Sequence, residues 1–138
     1  MDSFFNNIVE GSKITQEYSI SRDVYDHFLA AFQDTSPIHI MDDYAQTHGF
    51  REKVMHGNIL NGFISHFVGV KFPGEKSLLQ SVSIQYKNPS YMDDRIRINA
   101  EVSQVVESVR VIKLDMELQN LTQGIIAATA KVQVGIRE

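Results

Sequence analysis

The 138-residue sequence contains no cysteine, which excludes a disulfide framework, a thiolate zinc site and a cysteine nucleophile. It also lacks a strong charge of one sign, since 13 Lys and Arg stand against 17 Asp and Glu. Broad nucleic-acid binding usually needs a basic face and is therefore disfavoured. No segment approaches the roughly 20 apolar residues of a membrane span, and the segment MDSFFNNIVEG does not resemble a signal peptide. We therefore expect a cytoplasmic protein that binds neither nucleic acid nor membrane.

The residues that are present suit one globular domain over residues 1–138. Apolar residues make up 43% of the sequence and charged residues 22%, both ordinary for such a domain. A chain of this length can bury a core without disulfides. We find no internal repeat, low-complexity tract or linker.

The first half of the sequence is predicted to be mainly helical, after one strand in KITQEYSI. In SRDVYDHFLAAF, Ser21 is a good N-cap and four apolar residues follow at helical spacing. The segment IMDDYAQTHG predicts a short second helix that stops at Gly49. The segment HGNILNGFISHFVGVKF is apolar around most of a helical circumference, which is typical of a buried helix.

The second half of the sequence predicts a sheet. Apolar and polar residues alternate through SLLQSVSIQYKNP, IRINAEVSQVVE, VRVIKLDMELQ and GIIAATAKVQVGI, as expected for strands with one buried face. Short connections favour antiparallel neighbours. The predicted fold class is α+β, with a curved antiparallel sheet wrapped round one long buried helix.

The segment DTSPIH places a carboxylate and an imidazole five positions apart, at Asp34 and His39. Pro37 disfavours a continuing helix, so we expect an extended or turned link that points both side chains into one cavity. One interpretation is a turn that happens to contain an acid and a base, because Asp is common in turns. The other is an active site for acid–base chemistry.

Gly57 opens the buried helix, where backbone N–H groups have no partner within the helix and the helix dipole is positive. That position suits a carbonyl oxygen that gains charge during a reaction. His56 alone is typical of a turn, and Ser65 alone of a small packing residue. His27, His48 and His66 are predicted on helix faces or the surface. No histidine pair has the spacing of a zinc motif, so we expect no metal and no cofactor.

Taken together, these residues resemble the MaoC-like, (R)-specific enoyl-CoA hydratase family, whose members have the hotdog fold. The family pattern D-x-N-P-[IL]-H, then A-x-x-x-x-F, then H-G, matches at Asp34, Pro37–His39, Ala45, Phe50 and His56–Gly57. Ser65 falls where some members carry a functional serine. FPG at 72–74 also agrees. The sequence departs from the pattern at Ser36, where the family usually has Asn, and at Met41, where it often has Asp.

The resemblance implies syn addition of water to a trans-2-enoyl thioester, or the reverse dehydration. Asp34 and His39 would hold the reacting water, and the Gly57 N–H would bind the thioester carbonyl. Ser65, Ser36 and His56 are the remaining candidates for substrate binding or for orienting the pair. The implied partners are an acyl-CoA or acyl-carrier-protein substrate and a second copy in a homodimer. The cations expected to meet the carrier's phosphates are Arg51, Lys53, Lys71, Lys76 and Lys87.

Two other functions remain open at this point. A hotdog thioesterase would direct water at the thioester carbonyl and release a free thiol, although the D-x-x-P-x-H spacing favours a hydratase. A non-catalytic acyl-thioester-binding module is kept open by Ser36, because serine reaches less far than asparagine when it orients the pair.

Overall fold

The computed structural model describes residues 3–138, which form one five-stranded antiparallel sheet with four helices. The strand order across the sheet is β1-β3-β4-β5-β2. The strands are β1 (Lys13–Ser19), β2 (Ser77–Tyr86), β3 (Arg95–Val106), β4 (Val111–Asn120) and β5 (Ile125–Ile136). The helices are α1 (Arg22–Phe32), α2 (Pro37–Ile40), α3 (Asp42–Thr47) and α4 (Asn58–His66), and a π-helical turn, Phe67–Lys71, extends α4.

Helix α4 is the centre of the core, as its composition predicts. Ile64 and Phe67 are fully buried, and Leu60 is 4% exposed. The sheet meets α4 with the alternate residues of its strands. In β3 and β4 these are Ile96, Ile98, Ala100, Val102, Ile112, Leu114, Met116 and Leu118, all buried. The period-two alternation therefore identified the inner face of the sheet correctly.

The segment that carries Asp34 and His39 differs from the prediction in one respect. Pro37 does not keep His39 out of a helix, because Pro37 begins the four-residue helix α2 and His39 lies within it. Proline is well suited to the first position of a helix, where its missing N–H has no partner to lose. The break in the chain comes earlier, at Gln33, which has a left-handed backbone (φ 53°) after α1.

Helix α1 uses a different face from the one predicted. Its N-cap is Ser21, whose side chain accepts a hydrogen bond from the Val24 N–H at 3.2 Å, as expected. The buried residue of α1 is Tyr25, whereas Phe32 is 70% exposed. Because α1 ends at Phe32, no later turn of the helix covers that ring.

The turn before β3 is also buried where a solvated turn was expected. Asp94 is 2% exposed, and its Oδ2 accepts hydrogen bonds from the Tyr91 N–H, the Asn120 amide and the Gln123 amide at 2.7–2.9 Å. Three donors replace the water that this carboxylate loses on burial. The network fixes the loop between β2 and β3, and the carbonyl of Ser90 in that loop accepts a bond from the Met55 N–H.

Strand β2 lies at one edge of the sheet and pairs on one side only, with β5. Most of its residues are exposed, including Leu78 at 45% and Val82 at 36%. No helix among the described residues is long and apolar enough to cross a membrane.

Candidate active site

A cavity of about 430 Å³ opens beside the first turn of α4. Asp34 and His39 line one side of it, His56 and Gly57 line the base of α4, and Tyr86 contributes from β2. Three segments far apart in sequence therefore meet at one place. The structure brings together four of the six residues that the sequence singled out, and the other two, Ser36 and Ser65, are treated below.

Asp34 is exposed, and its carboxylate is held locally by Ser36. Its Oδ1 accepts bonds from the Ser36 hydroxyl at 2.6 Å and from the Ser36 N–H at 3.2 Å. These two bonds lower the pKa of Asp34 below its ordinary value, and the nearby His39 and His56 rings act in the same direction. Ser36 thus contacts the carboxylate directly, although it does not line the cavity.

His39 presents one ring nitrogen to the cavity. Its Nδ1 lies 2.7 Å from the Val54 carbonyl, which can only accept, so Nδ1 carries the proton and Nε2 is left free. The backbone carbonyl of His39 accepts a bond from the Tyr25 hydroxyl at 2.6 Å. Burial raises the pKa of Tyr25, which keeps that hydroxyl protonated as the donor. Both the ring and the backbone of His39 are therefore anchored.

His56 is 3% exposed and lies between the other two groups. Its Nε2 is 2.8 Å from the backbone carbonyl of Asp34, and its ring stacks on His39 with 4.2 Å between centroids. This places a buried imidazole directly behind the Asp34–His39 pair.

Asp34, His39 and His56 each offer a possible metal-ligand atom, and these atoms lie within 4.8 Å of one another. A four-coordinate zinc with bonds of about 2.0–2.1 Å needs ligand atoms about 3.3 Å apart. The two imidazoles are stacked at 29° between planes, so their free nitrogens lie side by side and do not converge. The arrangement suits a water molecule better than a metal ion, and the absence of a metal stays a prediction.

Gly57 is the N-cap of α4, and within residues 3–138 its N–H donates no hydrogen bond. The ring of Tyr86 packs against it, because a Cβ at this position would lie 2.9 Å from Tyr86 Cε1. Only glycine fits between the helix and this ring without a shift. The position therefore combines a free donor, the positive end of a helix and close approach from the cavity.

The family follows from the comparison of this chain with known proteins. The model of the MaoC-like domain matches residues 4–124. The chain belongs to the MaoC-like domain family.

Similar proteins of this family are named as hydratases. The chain is 29% identical over 135 residues to an (R)-specific enoyl-CoA hydratase of Rhodospirillum rubrum, covering 97% of this chain and 93% of that protein. It is 28% identical over 97 residues to an (R)-specific enoyl-CoA hydratase of Aeromonas caviae, covering 70% and 71%. The solved R-hydratase PhaJ1 of Pseudomonas aeruginosa superposes with a TM-score of 0.87 at 20% identity, over 97% of this chain and 85% of that one. The expected hotdog fold of a MaoC-like domain is confirmed.

Ser65 lies outside the cavity of this MaoC-like domain, on an exposed face of α4. Leu60 lines the cavity, and five further residues turn the helix by about 140°, which points Ser65 away. The expectation that Ser65 lines the acyl pocket is therefore not met within this chain.

Of the five cations proposed to meet a carrier, only Lys87 lines the cavity. Arg51 lies over the Tyr91 ring at 4.2 Å, and Lys53 pairs with Asp42 at 3.8 Å. Those two cations have partners that account for their positions.

Sequence reasoning missed two tyrosines of this site, Tyr25 and Tyr86. Tyr25 could have been found from its spacing, because it lies three residues before Phe28 on α1 and thus on the same face. Tyr86 carries no such signal, because its approach to Gly57 depends on how the end of β2 meets α4.

Proposed function

We propose that this MaoC-like domain catalyses the (R)-specific hydration of trans-2-enoyl thioesters and the reverse dehydration of 3-hydroxyacyl thioesters. The observation that carries the proposal is the meeting of the Asp34 carboxylate, the free Nε2 of His39 and Gly57 in one cavity. The names of the similar proteins support the substrate class.

In the proposed reaction, a water molecule lies between Asp34 and His39. Its oxygen bonds to C3, the C2–C3 π electrons move toward the thioester oxygen, and C2 takes a proton from the same face. One member of the pair accepts the proton of the water while the other delivers the proton to C2. The Gly57 N–H faces the thioester oxygen, whose negative charge grows as C3 is attacked. No cofactor is required, because the reaction moves only protons and water.

The test is the loss of the conjugated enoyl absorbance when purified protein is mixed with crotonyl-CoA and with medium-chain enoyl-CoA. Chiral chromatography of the product should give the (R)-3-hydroxyacyl form. Absence of turnover with every short and medium enoyl thioester, on either CoA or a carrier protein, would contradict the proposal.

A thiol reagent added to the same assay separates the other two functions. A thioesterase would release free thiol and leave the double bond intact. A binding module would retain the enoyl thioester without changing either signal. We expect hydration without thiol release, because the two polar side chains and the free Nε2 suit a held water molecule next to C2 and C3.

Gly57→Ala is expected to lower turnover by about 10²-fold, because the added Cβ lies within 3.2 Å of three atoms of the Tyr86 ring. The ring or the start of α4 must move, and the N–H moves with it. The measurement is the rate of crotonyl-CoA hydration, compared with unfolding by urea to verify that the variant is folded.

Two controls belong to this prediction. Gly62→Ala lies in the same helix, where a Cβ meets nothing within 4 Å, and should keep the wild-type rate. The double variant Gly57→Ala/Tyr86→Ala removes the ring in conflict and should recover part of the lost rate. Equal rates for Gly57→Ala and Gly62→Ala would remove Gly57 from the proposed site.

We further propose that the carrier is coenzyme A and that Lys87 meets its phosphates, because Lys87 is the predicted cation that lines the cavity. Its Nζ is 2.9 Å from the Gln85 side chain, an uncharged partner that leaves its charge available to an anion. A cytoplasmic location stays a prediction.

A homodimer is also proposed, formed through the free edge of β2. An edge strand with exposed apolar side chains favours pairing with another chain, and β2 exposes Leu78, Leu79 and Val82. Pairing with the same strand of a second copy would satisfy both free edges at once.

Val82→Lys is expected to shift the protein from dimer toward monomer, because a charge at the centre of the joined edges would face its own copy. Light scattering at fixed concentration measures the effect. Val109→Lys is the matched control, since Val109 is 64% exposed and lies outside β2. A wild-type monomer, or an equal shift in both variants, would contradict this interface.

A further inference from the structure

His56 is a buried titratable residue that the proposed reaction does not use. It is 3% exposed, and aromatic rings pack around it: Phe28 at 4.7 Å, Tyr25 at 5.8 Å and His39 at 4.2 Å between centroids. The sequence alone placed His56 among residues that bind substrate. Its surroundings are protein groups on most sides, which indicates a different role.

The hydrogen bond of His56 defines which nitrogen carries its proton. The backbone carbonyl of Asp34 can only accept, so Nε2 at 2.8 Å must be the donor. That N–H is therefore occupied and cannot also serve a substrate oxygen. Nδ1 is buried and has no partner among the described residues, so a proton there would lack an acceptor. The environment favours the neutral Nε2–H form.

The two contacts of His56 reach both members of the pair. One holds the backbone of Asp34, and the other supports the ring of His39 at 29° between planes. His39 is fixed independently by Val54 and Tyr25, so the stack gives Asp34 a reference to a ring that is already anchored. Asp34 itself is exposed, and its side chain is held only by its neighbour Ser36. Without His56, nothing in this set would tie the Asp34 backbone to His39.

We propose that His56 is a positioning residue: its Nε2–H holds the Asp34 carbonyl and its ring supports His39, which sets the distance between the two reacting side chains. This inference rests on the proposed hydratase function. It differs from a substrate-binding role, because the only N–H of the ring is directed at Asp34.

Two substitutions separate the two contacts. His56→Phe keeps an aromatic ring beside His39 and removes the donor to Asp34. His56→Gln keeps an N–H at the position of Nε2 and removes the aromatic stack. We expect His56→Phe to lower kcat by about 10²-fold with KM nearly unchanged, because misplaced catalytic groups cost rate more than binding. His56→Gln should stay within about tenfold of the wild type.

A purely structural role predicts a different result. His56→Phe removes a buried unpaired nitrogen and should not destabilise the fold, so unfolding by urea serves as the control. Equal kcat values for wild type and His56→Phe would overturn the inference, and so would a larger loss in His56→Gln than in His56→Phe.

Nuclear magnetic resonance keeps the inference testable without turnover. An imidazole ¹⁵N spectrum of the wild type should show a slowly exchanging proton on Nε2 of His56. The Asp34 carboxyl signal should change its titration in His56→Phe and stay nearer the wild type in His56→Gln. A wild type without hydratase activity would contradict the proposed function alone. Protonation of His56 at Nδ1, or an Asp34 signal equally unaffected in both variants, would contradict the positioning role.

Discussion

Asp34→Asn and His39→Ala are each expected to lower the rate of enoyl-thioester hydration by about 10²–10⁴-fold, the usual contribution of a general acid or base. Asparagine has nearly the shape of the carboxylate but cannot take up or release a proton near neutral pH. Because the Asp34 side chain is exposed, its replacement leaves the core intact. The loss should therefore appear in activity and not in the free energy of unfolding.

The matched control is Asp43→Asn, which removes an exposed carboxylate from the first turn of α3, outside the cavity. It should keep the wild-type rate. Initial rates with crotonyl-CoA over a range of concentrations separate kcat from KM. Wild-type rates in either Asp34→Asn or His39→Ala would remove that residue from the proposed chemistry.

The pH dependence of this site follows from Ser36. Its hydrogen bonds lower the pKa of Asp34 below the ordinary 3.8, so the carboxylate stays ionised at mildly acidic pH. A lowered folded-state pKa stabilises the fold above pH 3.8, and that contribution is lost as the pH falls through the lower value. The largest single cause is the Ser36 hydroxyl. Serine thus does for this carboxylate what was in doubt when Ser36 appeared in place of asparagine.

Phe67→Ala is expected to lower the free energy of unfolding by about 3–5 kcal/mol. Phe67 is fully buried at the start of the π-helical turn and belongs to the core between α4 and the sheet. Removing the ring loses its burial and leaves a cavity that neighbours fill only in part. Urea unfolding at a fixed protein concentration measures the change.

Phe32→Ala is the matched control, because it makes the same chemical change at a side chain that is 70% exposed. It should cost well under half as much, losing mainly the contact with Phe28 at 4.9 Å between rings. Similar losses in both variants would mean that Phe67 does not lie in a close-packed core.

The pattern of the sequence predicted the scaffold well because the scaffold depends on periodicity. The alternation in β3 and β4 and the apolar circumference of α4 both follow from which face is buried. The same reasoning placed Phe32 in the core and Asp94 in solvent. Both errors concern where an element ends and what lies across from it, which one-dimensional spacing does not contain.

The site was predictable where it is local in sequence. Asp34, His39 and Gly57 form a recognisable motif, and they line one cavity. The roles of Tyr25, Tyr86 and His56 depend on contacts between segments 14 to 29 residues apart. Ser65 fitted the motif by position, yet the rotation of α4 directs it away from the cavity.

The hydrogen bonds from Tyr25 and His56 both end on backbone carbonyls, those of His39 and Asp34. Every residue type has such a carbonyl, so this support does not depend on which side chains stand at positions 34 and 39. Mutation could therefore exchange the acid and the base while the loop keeps its shape. A scaffold built in this way can change its chemistry before it has to change its fold.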